Sequence, residues 1–170
     1  MNRAHIALLI LVTVTVVALG HMVAVWSGLP EQIPTHFSGG QPDAWSSRDS
    51  FVWTWGATLL GTALMMGGVG WLLGRLDARW MSLPHRDHWL APERRAATLQ
   101  DLCFRIWTVG ILTMLLLLDL QVQMFAVAGG EAEDLTHFGT TMTIYLLGTL
   151  VWTVALLVHY GRKPKDRSAA

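Results

Sequence analysis

Residues Ile106–Ala128 read IWTVGILTMLLLLDLQVQMFAVA, an apolar run broken by a single charged residue, Asp119. A helix rises 1.5 Å per residue, so roughly 20 apolar residues cross a bilayer core about 30 Å thick. Three further stretches reach that length without any Asp, Glu, Lys or Arg: Ile6–Trp26, Phe51–Gly74 and Phe138–Tyr160. The chain is 52% hydrophobic and 14% charged, against about 25% charged in an ordinary soluble domain. That leaves too little polar sequence to cover four such helices in water. The expected fold is all-α: a polytopic membrane protein with four transmembrane helices, forming one domain over residues 1–170. No internal repeat or low-complexity segment divides it.

The first span passes Ala18-Leu19-Gly20, which resembles a signal-peptidase site, but its apolar run continues through Met22 to Trp26. It therefore reads as a retained span. Charge sets the direction. Arg3 precedes span one, residues 75–105 hold Arg75, Arg79, Arg86, Arg94, Arg95 and Arg105, and the tail holds Arg162, Lys163, Lys165 and Arg167. Only Arg48 lies in the loop at 27–50, and none in the loop after span three, so eleven of the twelve basic residues share one side. The positive-inside rule makes that side the cytoplasm, with both termini in it. Tryptophans gather near both surfaces: Trp26, Trp45, Trp53 and Trp55 outside, Trp71, Trp80, Trp89 and Trp107 inside. Indole suits the headgroup zone, which accepts both its ring and its N–H.

Zero formal net charge gives no reason to expect a nucleic-acid partner. The lone Cys103 allows neither an internal disulfide nor a CxxC redox motif. Within the spans, Ala57 and Gly61, Ala63 and Gly67, and Gly70 and Gly74 place small residues at helical spacing. We read them as packing positions within one chain rather than dimer contacts. Thr141, Tyr145, Thr149 and Thr153 form a polar stripe expected to face other helices. Asp119 is the costliest residue, at about 2.5–3.5 kcal/mol for a charge near a helix centre. Gln123 lies one turn on, and His21 at similar depth. These three residues read either as a proton-linked or ligand-binding site, or as a carboxyl group locked into a helix–helix hydrogen bond.

The outer loop, 27–50, contains Pro30 and Pro34, which favour extended chain, and the turn signal Ser38-Gly39-Gly40-Gln41-Pro42. A short irregular or hairpin-like excursion is expected, anchored at the surface by Phe37 and Trp45. The turn brings His36 towards Asp43. With His137 from the other outer loop these would be three weak metal candidates, one short of a closed zinc site. A His36–Asp43 hydrogen bond that shapes the loop is the preferred reading, and no cofactor is expected. In the inner loop, 75–105, Pro92 and Glu93 suit a helix start that runs through Arg105 into span three. Residues 82–92 are read as too proline-interrupted for helix. Trp89, Leu90, Arg94 and Arg95 suggest a segment lying on the inner leaflet, where basic residues attract anionic lipid by about 1 kcal/mol each.

The stretch LPEQIPTHFSGGQPDAW, Leu29–Trp45, resembles the signature of a bacterial membrane-protein family catalogued as domain of unknown function 1648. The matching positions are Pro30, Pro34, His36, Phe37, Gly40, Asp43 and Trp45. Ser38 and Arg48 stand where the family often has Asn and Lys. The same unit is similar to the N-terminal part of the immunity and signalling proteins that protect bacilli from the sporulation-delaying toxin. Those proteins carry a further helical module after it. The inner segment LPHRDHWLAPERR, Leu83–Arg95, resembles a second signature in a subset of the family, at Pro84, Asp87, Trp89, Pro92, Arg94 and Arg95.

The expected function is that of a non-enzymatic bacterial inner-membrane protein. It would bind a ligand or partner through its outer loop, as a sensor, immunity or accessory subunit. Its expected partners are membrane lipids and another membrane protein or a peptide. A small proton- or solute-coupled transport component using Asp119 is the alternative. A membrane metalloenzyme built on His36, Asp43 and His137 is the third reading.

Overall fold

The structure, a computed structural model, describes residues 2–39 and 41–162. The first helix, α1, spans Arg3–Val25, and the Asn2 side chain caps it by accepting the His5 N–H at 2.9 Å. A 3-10 turn, Trp26–Gly28, leads to strands β1, Gln32–Ser38, and β2, Gln41–Ser47. Ser47 then caps α2, Arg48–Leu73, by accepting the Ser50 N–H, and Asp49 places negative charge in its first turn. A single turn, α3, covers Arg86–Trp89, before α4, Pro92–Ala128, and α5, Phe138–Gly161.

Four of these helices are long and apolar enough to cross a membrane. They coincide with the four expected spans. The third continues from Pro92 through Arg105 into the membrane-length run, with Pro92 in the first turn as expected. Two corrections apply. The molecule is not purely α, because β1 and β2 form an antiparallel two-stranded sheet. Residues 82–92 also contain a helical turn, because Pro84 and Pro92 flank rather than interrupt it. His88 and Trp89 donate their N–H groups to the His85 carbonyl there.

The sequence of α1 explains its packing. Ala4, Ala7, Leu11, Thr15, Ala18 and Met22 recur every three or four residues and are all buried. They form one stripe of mostly small side chains that lets α4 and α2 approach closely. Leu59 of α2 and Trp107 and Met114 of α4 pack against this stripe in the middle of the bundle. The outward faces are apolar as well. Leu64 is 73% exposed and Val151 67% exposed, a surface that lipid solvates and water does not.

The small residues of α2 have unequal roles. A Cβ at Gly70 would lie 2.3 Å from Nε1 of Trp107, whereas Gly61 and Gly67 have nothing near. Trp107 is therefore a packing residue, 6% exposed, and not the headgroup residue expected from its position. It fills the notch left by Gly70. Gly110 of α4 is a second close approach, where a Cβ would lie 2.9 Å from that of Met66. The polar stripe of α5 meets α4 at Tyr145, whose hydroxyl lies 3.1 Å from that of Thr113. Thr149 bonds its own helix at the Tyr145 carbonyl, and Thr153 is exposed.

Candidate functional site

The hairpin lies at the end of the bundle opposite the one that carries Arg3 and Gly161. Its inner residues dock it. Ile33 and Pro34 are fully buried, and Ile33 joins Met22, Leu29, Phe51 and Phe125 in a second apolar cluster. Pro34 and Pro42 fit because each strand has a free edge that asks for no proline N–H. The following segment is tied back twice. The Arg48 N–H donates to the Glu31 carbonyl at 2.9 Å, and its guanidinium donates to the Leu29 carbonyl at 3.1 Å. Gly39 turns the chain at φ 58°, a conformation that suits glycine. Gly40 lies outside the described residues.

His36 and Asp43 meet as expected. In the backbone register His36 pairs with Ala44, between the pairs Pro34↔Trp45 and Phe37↔Pro42, which leaves Asp43 as its neighbour across the turn. Irregularities on both sides of His36 displace the backbone pairing locally, yet Nδ1 of His36 lies 2.5 Å from Oδ1 of Asp43. Both side chains are exposed. Trp45 is also exposed, at 51%, and Phe37 is half-buried against the bundle. The hairpin is therefore anchored through Ile33 and Pro34 of β1, while His36, Asp43 and Trp45 stay exposed. Ile33, the docking residue, belongs with Thr35 and Phe37 to the set that alternates with Pro34, His36 and Ser38, but the sequence alone does not mark it as the anchor. Among the described residues no three His, Cys, Asp or Glu could hold a metal ion, so His137 does not complete a set with His36 and Asp43.

Two polar groups inside the helices are separate from the hairpin. Gln123 donates to Asp119 at 2.6 Å, as expected, and its carbonyl accepts the His137 N–H at 3.3 Å. His21 does not join them. It lies 2.9 Å from Nε2 of Gln121, a residue that sequence reading passed over. Gln121 is fully buried, donates to the Ala18 carbonyl and accepts from Trp55 Nε1, both at 3.0 Å. Two positions apart on a helix means about 200° of rotation, so Gln121 and Asp119 face opposite sides of α4. No single polar chain connects them.

At the opposite end the inner-loop residues close the bundle. Trp89 donates to the Tyr160 carbonyl at 3.2 Å, Arg95 donates to that of Leu76 at 2.9 Å, and Leu90 is buried. This segment packs onto the helices more than the expected surface-lying stretch would. Pro84, Asp87, Pro92 and Arg94 remain exposed. Asp101, also missed by sequence, joins three elements. It accepts from Arg3 of α1, from Arg105 at 2.7 Å and from the Tyr160 hydroxyl at 2.8 Å. Asp101 precedes the membrane-length part of α4, which begins at Ile106. Burial raises its pKa. The hydrogen bonds from Arg105 and Tyr160 and the charges of Arg105 and Arg3 outweigh that, holding the carboxyl below its usual range.

The comparison with known families falls on the hairpin half. Residues 8–62 match the DUF1648 family model, a domain of unknown function. The DUF1648 segment takes in most of α1, the whole hairpin and the first half of α2. It includes the Pro30–Trp45 motif and ends before the Leu83–Arg95 segment. No curated protein and no solved structure matches the chain.

Proposed function

We propose that the chain is a non-enzymatic protein of the bacterial inner membrane, with both termini cytoplasmic. Its DUF1648 hairpin would bind a ligand or partner on the outer face, as a sensor, immunity or accessory subunit. The observation that carries this reading is a hairpin that is docked at one point and open elsewhere. Fully buried Ile33 and Pro34 fix it on the helix ends, while His36, Asp43 and Trp45 stay in the open. A loop that only joined α1 to α2 would need no such seating. An exposed indole beside a polar pair is the kind of rigid amphipathic surface that serves as an anchor in protein contacts. The weight of basic residues at the other end supports the orientation. The kinship with toxin-immunity proteins belongs to the same proposal.

Site-specific photocrosslinking in living cells tests it. A photoreactive residue at Thr35 should give one discrete adduct that disappears with Trp45→Ala. An adduct pattern indistinguishable from that of a lipid-facing control at Leu146, or one insensitive to Trp45→Ala, would count against the hairpin as a binding surface.

A second reading, a transport component, rests on Asp119 bonded to Gln123 within a membrane-length helix. Loss of function on Asp119→Asn with the hairpin variants unaffected would favour it.

A further inference from the structure

A cleft of about 300 Å³ opens at the basic end between α1, α4 and α5, and it brings Arg3, Arg94 and Arg105 to one place. We propose that this cleft binds a phosphate group, carried by an anionic phospholipid headgroup or by a free phosphorylated molecule. This site is independent of the hairpin.

Charge is the first argument. Asp101 is the only acid lining the cleft, so three guanidinium groups less one carboxylate leave a surplus of two positive charges, with His159 counted neutral. Arg105 is paired with Asp101, while Arg3 and Arg94 are exposed, so the surplus faces the open side of the cleft where an anion can reach it. A phosphate would neutralise it.

Donor supply is the second argument. Asp101 takes one bond from Arg3 through one oxygen and one from Arg105 Nε through the other, and this orients both guanidinium groups. A guanidinium offers five N–H donors in a fixed fork that matches phosphate oxygens. Among the described residues Arg105 makes no other side-chain hydrogen bond, so its Nη donors remain for a ligand. Arg105 is also 14% exposed, so those donors act where water screens little.

The wall and the depth fit the same ligand. Trp89 and Tyr160 pack edge to face at 5.1 Å, and His159 sits 5.2 Å from Trp89, giving the cleft a rigid aromatic side. Arg105 immediately precedes Ile106, where the membrane-length run begins. The cleft therefore lies beside the start of the membrane-length run, at the depth where headgroups would sit.

The test uses the whole purified protein in mild detergent. Native mass spectrometry with phosphatidylglycerol and with phosphatidylcholine reads the lipid source, and equilibrium dialysis with inorganic phosphate reads the free one. Two variants leave the Asp101 bonds intact: Arg94→Gln removes a cation, and Ala97→Trp fills the cleft. We expect at least fivefold preference for phosphatidylglycerol over phosphatidylcholine, or saturable phosphate binding. Either should fall at least fivefold in whichever of the two variants melts like the parent. Preference for the anionic lipid assigns the lipid source, and phosphate binding without it assigns the free one. Absence of both, or binding unchanged in a well-folded variant, would overturn the proposal.

Discussion

Tyr160 donates its hydroxyl to Asp101 at 2.8 Å, and it is the only buried residue of α5. The phenol is one of several ties on α5: Trp89 Nε1 donates to the Tyr160 carbonyl and Trp152 Nε1 to the Arg105 carbonyl, both at 3.2 Å, with Tyr145 on Thr113 further along. A hydrogen bond to a charged group contributes about 1.5–3 kcal/mol. Tyr160→Phe keeps the ring and loses that bond, so it should cost a similar amount. Hydrogen exchange should increase in α5 and not in α1. Exchange that rises equally in all helices would mean that this bond does not hold α5 in particular.

Gly70 and Trp107 form a notch and its filling. Gly70→Ala should cost about 1–3 kcal/mol, because the buried indole must move out of a well-packed position. Gly61→Ala, where a Cβ meets nothing within 4 Å, should be neutral or slightly stabilising. Thermal unfolding in detergent of the two variants checks the contrast. Equal effects would show that helix propensity, and not the notch, governs both sites.

Gln121 of α4 bonds both α1 and α2 from one fully buried side chain. Gln121→Leu preserves the volume and strands the Trp55 N–H in an apolar setting. Polar contacts between membrane helices average about 0.6 kcal/mol and reach about 1.7, so a total loss of about 1–2 kcal/mol is expected. Trp55→Phe in the same background should then add little, and strictly additive losses would argue against a shared bond.

His36 and Asp43 should behave as a pair. Both are exposed, which limits their contribution to about 0–1 kcal/mol. His36→Ala and Asp43→Ala should increase proteolysis of the hairpin to a similar, modest degree, and the double variant should add little. Independent effects would show that the 2.5 Å contact does not shape the loop.

The parts legible in the sequence were those governed by length and local chemistry. Apolar runs located the four long helices. Two glycines and flanking prolines located the hairpin, and a turn of known length placed His36 near Asp43. Long-range pairing was not legible. Asp101 and Arg105 look like ordinary solvated loop charges until the end of α5 returns beside them. Gln121 sits between two polar residues already noted, Asp119 and Gln123, and only the rotation of α4 separates their faces. Trp107 reads as an interfacial indole because nothing in its own segment reveals the gap at Gly70. The small two-stranded sheet was anticipated as a hairpin-like shape but not as paired strands, since two seven-residue segments have little strand signal with two prolines in them and two glycines between them.

The central claim is a four-span chain that holds its hairpin on the outer face and its basic end in the cytoplasm. Cysteine accessibility in intact cells tests it most directly. In a Cys103→Ser background, which keeps a donor for the Gly70 carbonyl, single cysteines replace Ser38 in the hairpin and Ser82 in the basic loop. An impermeant maleimide should label position 38 in intact cells and position 82 only after the membrane is opened. Labelling of position 82 in intact cells, with position 38 protected, would contradict the account.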